Sequence, residues 1–211
     1  QLLLSIHALL VDAPGLRLVV DTCIGNDRPR SILRGQPLAT GFLQSMSEVG
    51  WSRESVDVVV CTHLHVDHVG WNTKLEDGAW VPTFPNARYL LGKTEFAHWS
   101  AEGDEEQQTI LSDSVQPILD AGLAEFVEMD HRISPHLRLT PSTGHTPGHV
   151  SVMIESEGES AVITGDMSQI TGINQHDLVE LAGSQGVEVM NWVAMRGALT
   201  GEVSELHRNY H

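Results

Sequence analysis

Basic residues, cysteines and long apolar runs are all scarce in this chain. Lysine and arginine together number 12 against 28 aspartates and glutamates, for a formal charge of −16. No Lys/Arg cluster is present to neutralise a run of phosphates, which argues against nucleic acid as a partner. The same balance argues against an anionic membrane surface. Bound divalent cations would offset part of the negative charge locally. The cysteines are Cys23 and Cys61 alone. They provide no disulfide framework, so the expected setting is a reducing one, the cytoplasm. No apolar run approaches the roughly 20 residues that a membrane span needs. No signal peptide is legible, but the chain opens inside what reads as a strand, Leu2 to Val11, which leaves an upstream segment open.

What is present is enough for a core. With 211 residues and 41% hydrophobic content, the default is one globular domain. The most informative stretch is Thr62-His63-Leu64-His65-Val66-Asp67-His68, which follows the apolar run Val58-Val59-Val60-Cys61 and leads into Gly70. The run is short and β-branched and reads as a buried strand, so the histidines sit where a strand gives way to a loop or helix. Packing three imidazoles and a carboxylate into six residues makes a poor core, because buried polar groups need partners. It makes a good divalent metal site. Imidazole and carboxylate suit zinc, with iron, manganese and cobalt as alternatives. His63 and His65 project to one side of an extended backbone, and Asp67 and His68 follow the turn and face a second point. One segment can thus supply ligands to two metals. Cys61 belongs to the strand and is expected in the core, whereas Cys23 is open between the two roles.

Elsewhere the pattern alternates strands and helices. Leu2 to Val11 and Leu16 to Val20 read as strands about an Asp12–Gly15 turn. Leu38, Phe42, Leu43, Met46 and Val49 recur at helical spacing. Lys74 to Pro85 reads as a polar loop that could shape access to a site, with Trp71 and Trp80 either lining its mouth or packed inside. Ala87 to Leu91 is a strand candidate and Thr94 to Trp99 a short helix. Glu102 to Gln107 is a charge run expected as a solvated helix start, continued by an apolar stripe from Ile110 to Leu119 that is interrupted near Pro117. Phe126 to Met129 and Leu137 to Thr140 are further strand candidates. Val150 to Glu155 and Ser160 to Thr164 form an expected hairpin around Glu157-Gly158. Between them lies Ser142-Thr143-Gly144-His145-Thr146-Pro147-Gly148-His149, where glycine and proline fix a tight loop.

His-x-His-x-Asp-His after an apolar strand resembles the signature of the metallo-β-lactamase superfamily. THLHVDHVGWNT together with FPNARYLLGKTEF looks most like its lactonase and organophosphate-hydrolase branch, over about residues 3–167. The resemblance implies an α/β fold, an αββα metallo-β-lactamase-like sandwich, here incomplete at both ends. It implies a hydrolase that uses a metal-bound hydroxide on an ester, lactone or phosphoester, with one or two zinc ions and a small-molecule substrate. By position, His63, His65 and His145 would hold the first metal, and Asp67 and His68 the second, with Asp166 bridging. Asp67 could also orient the nucleophile and pass its proton. His149 would either support the ligands from behind or face substrate. The family usually has Asp-Thr-Gly where this chain has Asp21-Thr22-Cys23, with the aspartate buttressing the metal ligands.

The resemblance thins after Met167. The family's remaining metal-binding histidine has no counterpart: His176, His207 and His211 do not follow an apolar strand, and Gln169 stands where lactonases carry a substrate-holding tyrosine. Residues 168–211 read as a helical tail of different origin, helical over Asp177 to Leu199. DLVELAGSQGVEVMNWVAMRGAL resembles the C-terminal part of class III extradiol dioxygenases of the protocatechuate 4,5-dioxygenase type, without their iron ligands. Loss of the terminal layer would expose apolar sheet and favour a homo-oligomer. Two further functions therefore stand beside hydrolysis. One is a metal-binding but catalytically impaired member of the superfamily. The other is an iron-dependent oxidoreductase, ranked last because the tail lacks ligands.

Overall fold

Val58, Val59 and Val60 are all fully covered, which a strand achieves only when both faces of its sheet are buried. A computed structural model describes residues 5–166. Two compact units divide the chain, one from Ile6 to Glu128 and one that takes up the chain from Met129.

In the first unit β1 (Leu9–Ala13) and β2 (Leu16–Val20) form an antiparallel hairpin, Leu9 opposite Val20. Helix α1 (Phe42–Glu48) precedes β3 (Val58–Val60). The small hairpin β4 (Thr73–Glu76) and β5 (Ala79–Pro82) follows, then β6 (Arg88–Gly92). Helices α2 (Lys93–Glu102), α3 (Glu105–Ser114) and α4 (Gln116–Asp120) lead to β7 (Ala124–Val127). The main sheet has the order β1-β2-β3-β6-β7, and β2, β3, β6 and β7 run parallel. Parallel neighbours require crossovers: α1 lies in the one from β2 to β3, the β4–β5 hairpin in the one from β3 to β6, and α2, α3 and α4 in the one from β6 to β7. Val19, Val59, Tyr89 and Leu91 present one face to Met46, Trp51, Ile110, Leu111, Val115 and Ile118. Helix α3 starts where Asp104 accepts a hydrogen bond from the Gln107 N–H at 2.9 Å, with Glu105 and Glu106 in the first turn favoured by the helix dipole. It ends ahead of Pro117, which opens α4 instead.

The stretch from Lys74 to Pro85 is not the open loop its polarity suggests. It is mostly the β4–β5 hairpin, turned by Asp77 at φ 51° and Gly78 at φ 82°. Two left-handed residues make the tight turn that matches strand twist, and Asp-Gly is its usual sequence. Trp71 is buried and stacks on Phe42 at 5.1 Å, and Trp80 lies under the Arg28 guanidinium at 3.8 Å. Both tryptophans are packing elements of this unit.

Within the second unit β8 (Leu137–Pro141), β9 (Val150–Ser156) and β10 (Glu159–Ile163) form an antiparallel sheet of order β10-β9-β8. Leu137, Leu139, Val150 and Val152 are its buried side chains. The expected hairpin around Glu157-Gly158 is present, with Glu159 opposite Ser156. The fold is mixed α/β, as the sequence pattern predicts. The helix expected over 177–199, with Gln169, His176, His207 and His211, lies outside the described residues.

Candidate metal centre

In the first unit, β3 delivers Thr62 and His63 to the C-terminal end of a parallel sheet, the usual location of sites in such folds. His63 is completely buried. Its Nδ1 lies 3.1 Å from the Thr62 hydroxyl, and its Nε2 lies 3.0 Å from His65 Nδ1. Two nitrogens on one tetrahedral zinc stand about 3.3 Å apart, given Zn–N bonds near 2.05 Å. The His63–His65 pair therefore fits one edge of such a site, although a single N–H···N hydrogen bond has the same length. His68 lies against His63, ring centroids 4.1 Å apart. Its Nδ1 is 2.9 Å from Asp21 Oδ2, and its Nε2 is turned towards Asp67, 3.6 Å away. A carboxylate on one imidazole nitrogen fixes the tautomer that offers the other nitrogen to a metal.

Asp21 does more than hold His68. Its Oδ1 accepts from the Thr62 N–H at 2.7 Å, and both oxygens lie about as close to the Thr62 hydroxyl, at 3.1 and 3.0 Å. Asp21 and Cys23 take left-handed backbone angles, φ 59° and 52°. The second of these explains a departure from the family pattern: the turn needs a left-handed residue, which glycine adopts freely and cysteine at a cost of about 1 kcal/mol. Backbone bonds then sew this turn to the end of the motif. Thr22 N–H donates to His68 O, Gly70 N–H to Cys23 O and Trp71 N–H to Thr22 O, each at 2.7 Å. A Cβ on Gly70 would fall 1.8 Å from Ile24 O, so no side chain fits there. The Cys23 thiol is pushed up to about 12, first by burial and then by Asp21 and Asp67. Cys61 is buried, and its thiol is also raised by burial, as suits a core residue.

Two residues to which the sequence reading assigns no role hold the centre of the motif. Leu64 donates its N–H to Glu95 Oε1 at 3.1 Å, and its carbonyl accepts from Gln107 Nε2 at 2.7 Å. Glu95 is 2% exposed and Gln107 6%. Gln107 is thus not part of a solvated face, contrary to the charge-run reading. Nothing in the charge run shows that this side chain turns inward. Glu95 Oε1 also accepts from Trp99 Nε1 at 2.6 Å, and the Trp99 ring lies 5.2 Å from that of His65.

In the second unit the loop after β8 carries His145 and His149. His145 Nε2 lies 3.1 Å from Asp166 Oδ2, again a distance that one edge of a tetrahedral site would show. His149 is completely buried. Its Nδ1 lies 2.8 Å from the Ser142 hydroxyl and its Nε2 accepts from the Asp166 N–H at 3.2 Å. Ser151 donates to Ser142 Oγ at 2.9 Å and to Thr164 O at 3.3 Å. Both ring nitrogens of His149 are therefore engaged, one with the loop after β8 and the other with the segment after β10 that carries Asp166.

The donors are all imidazole and carboxylate at the ends of strands, a candidate metal centre in a mixed α/β fold. The chain belongs to the metallo-β-lactamase superfamily, whose family model matches residues 3–199. N-acyl homoserine lactonase from Bacillus cereus is 28% identical over 138 residues, covering 65% of this chain and 48% of the relative. The lactonase AiiA of Bacillus thuringiensis subsp. kurstaki gives the same identity and coverage. Among solved structures, the hydrolase AbOPH of the beta lactamase superfamily is 27% identical with a TM-score of 0.60, over 76% of this chain and 55% of that one. AidC, a dizinc quorum-quenching lactonase in complex with the product N-hexnoyl-L-homoserine, shares the fold at a TM-score of 0.55 and 24% identity, over 74% of this chain and 54% of that one. The chain spans about half the length of the curated relatives it matches. No helix among the described residues is long and apolar enough to cross a membrane.

Proposed function

We propose that the protein is a metal-dependent hydrolase of a small ester or lactone, with an N-acyl homoserine lactone as the leading substrate class. The observation that carries this reading is the His63–His65 fork, fully buried at one end and with nitrogens at the separation of a zinc-ligand pair. By the family resemblance, His63, His65 and His145 would hold one ion and Asp67 and His68 a second, with Asp166 shared. The donor set favours zinc, with iron, manganese or cobalt as alternatives. Such an ion, when bound, acts as a Lewis acid and brings the pKa of water to about 7.

The chain's own residues do the rest. Asp67 is the one carboxylate of the motif, its side chain 25% exposed, and it is the group that orients the attacking water and accepts its proton. His68 is presented by Asp21, and His149 keeps the Asp166 backbone in place. The lactone preference rests on the curated relatives, which are lactonases. An organophosphate is the alternative ester within the same chemistry. The proposal also places a boundary near residue 167 and the protein in the cytoplasm, and leaves room for a homo-oligomer.

The test is zinc content per chain together with hydrolysis of an N-acyl homoserine lactone and of a nitrophenyl acetate. The expected result is bound zinc and turnover of both, abolished by chelator and restored by zinc. Bound zinc without turnover would convict the catalytically impaired reading. Bound iron with oxygen consumption would replace hydrolysis by oxidation. Absence of any bound metal would overturn the proposal.

A further inference from the structure

The residue between the two histidines of the fork, Leu64, is gripped at both of its backbone polar groups. Its N–H goes to Glu95 on α2 and its C=O to Gln107 on α3, and its own side chain is 1% exposed in the core. The N–H belongs to the peptide unit that joins His63 to Leu64 and the C=O to the unit that joins Leu64 to His65, so each unit is held against rotation. The flanking Cα atoms of His63 and His65 are therefore fixed relative to one another before any ligand arrives. Glu95 adds a second hold, because the oxygen that accepts from Leu64 also accepts from the Trp99 indole N–H, and Trp99 lies beside the His65 ring. Neither hydrogen bond is needed to complete a helix or a sheet. Both side chains are drawn from a polar surface pattern and buried, which costs desolvation unless the bonds they make return it.

We propose that Glu95 and Gln107 are positioning residues of the metal centre, which set the His63–His65 fork by clamping the peptide groups of Leu64. The proposal rests on the functional reading above for its metal, and on the clamp alone for its geometry. A pre-set fork binds an ion without ordering its ligands first, so the clamp acts on metal affinity as well as on stability.

The variants are Gln107→Leu, which keeps bulk and removes the donor, and Glu95→Ala. Ile118→Ala, a change in the same core cluster that removes no hydrogen bond to Leu64, serves as the control for plain destabilisation. Zinc affinity is measured by competition with a chromophoric chelator, and the melting temperature is measured on metal-free protein. In the metal-free state, Leu64 amide exchange and the imidazole resonances of His63 and His65 are followed by NMR. Gln107→Leu and Glu95→Ala should weaken zinc about 10- to 100-fold, as loss of partners behind metal ligands does. The Ile118→Ala control should lower the melting temperature and leave affinity unchanged. In the two clamp variants Leu64 should lose exchange protection, and the two imidazoles should shift. Unchanged affinity in the clamp variants, or an equal loss in the control, overturns the proposal. So do unchanged Leu64 exchange and imidazole resonances in metal-free protein, and that arm decides even if the wild type takes up no zinc. A wild type without zinc would sink the functional reading separately.

Discussion

Replacing Asp21 by asparagine should separate metal binding from folding. The Asp21 carboxylate faces two ways: Oδ1 takes the Thr62 N–H at 2.7 Å and Oδ2 lies 2.9 Å from His68 Nδ1. Asparagine can serve the Thr62 N–H only through its amide oxygen, which puts the amide NH₂ against His68. His68 Nδ1 must then accept, so its proton moves to Nε2, the nitrogen a metal would need. The backbone contact survives, and Asp21→Asn should lose little stability. Its second metal should weaken about 10- to 100-fold. Asp21→Ala leaves the buried Thr62 N–H without its acceptor and costs about 1–3 kcal/mol. For a chain of this size that lowers the melting temperature by about 2–12 °C. The assays are zinc stoichiometry across a chelator series and thermal melts of metal-free protein. If Asp21→Asn holds two zinc ions as tightly as the wild type, the tautomer argument is refuted. If it melts as low as Asp21→Ala, the claim that its amide oxygen still serves Thr62 is refuted.

Asp113→Ala should be among the most damaging changes remote from the histidines. One oxygen of Asp113 meets both Arg28 and Arg30, whose side chains are 1% and 2% exposed, and removing it strands two guanidinium groups at a cost of about 3–5 kcal/mol, read by urea unfolding. Gly70→Ala drives a methyl into the Ile24 carbonyl and should cost about 1–3 kcal/mol or more in the same assay. The Cys23 thiol, raised to about 12 from an ordinary 9.0, should resist alkylation in the native protein near pH 8 and react on unfolding. Because its folded pKa is the higher, its contribution to stability is complete below about pH 9 and is lost as pH rises towards 12, which a pH series of melts on wild type and Cys23→Ser would show. Cys23 reacting as fast native as unfolded would refute the burial argument.

The legible parts of this protein were those where chemistry is compressed into a few positions. Val58 to Val60 announce a strand buried on both faces, and His63 to His68 mark a candidate metal centre, because three imidazoles and a carboxylate in six residues make a poor core. The hairpin over Thr73 to Pro82 is masked by its polarity, although Asp77-Gly78 is the stronger local signal. Strand β1 starts at Leu9, later than the apolar pattern suggests. The roles of Glu95 and Gln107 are hidden for a different reason. Their partner is the backbone of Leu64, 31 and 43 residues away. A backbone partner leaves no complementary side chain to read. Arg28 and Arg30 likewise look like surface charge until Asp113, 85 and 83 residues on, is brought beside them.

Helix α3 grips three separate segments within ten residues. Gln107 holds the Leu64 carbonyl, Glu106 takes the N–H and hydroxyl of Ser31, and Asp113 takes Arg28 and Arg30 while its carbonyl accepts from Thr73. The histidine motif is therefore not a portable cassette. Grafted onto another strand end without this helix, the same seven letters would keep their ligand atoms and lose their spacing. Recombination among relatives should break this chain outside the interval from Asp21 to Ser114, and not within it.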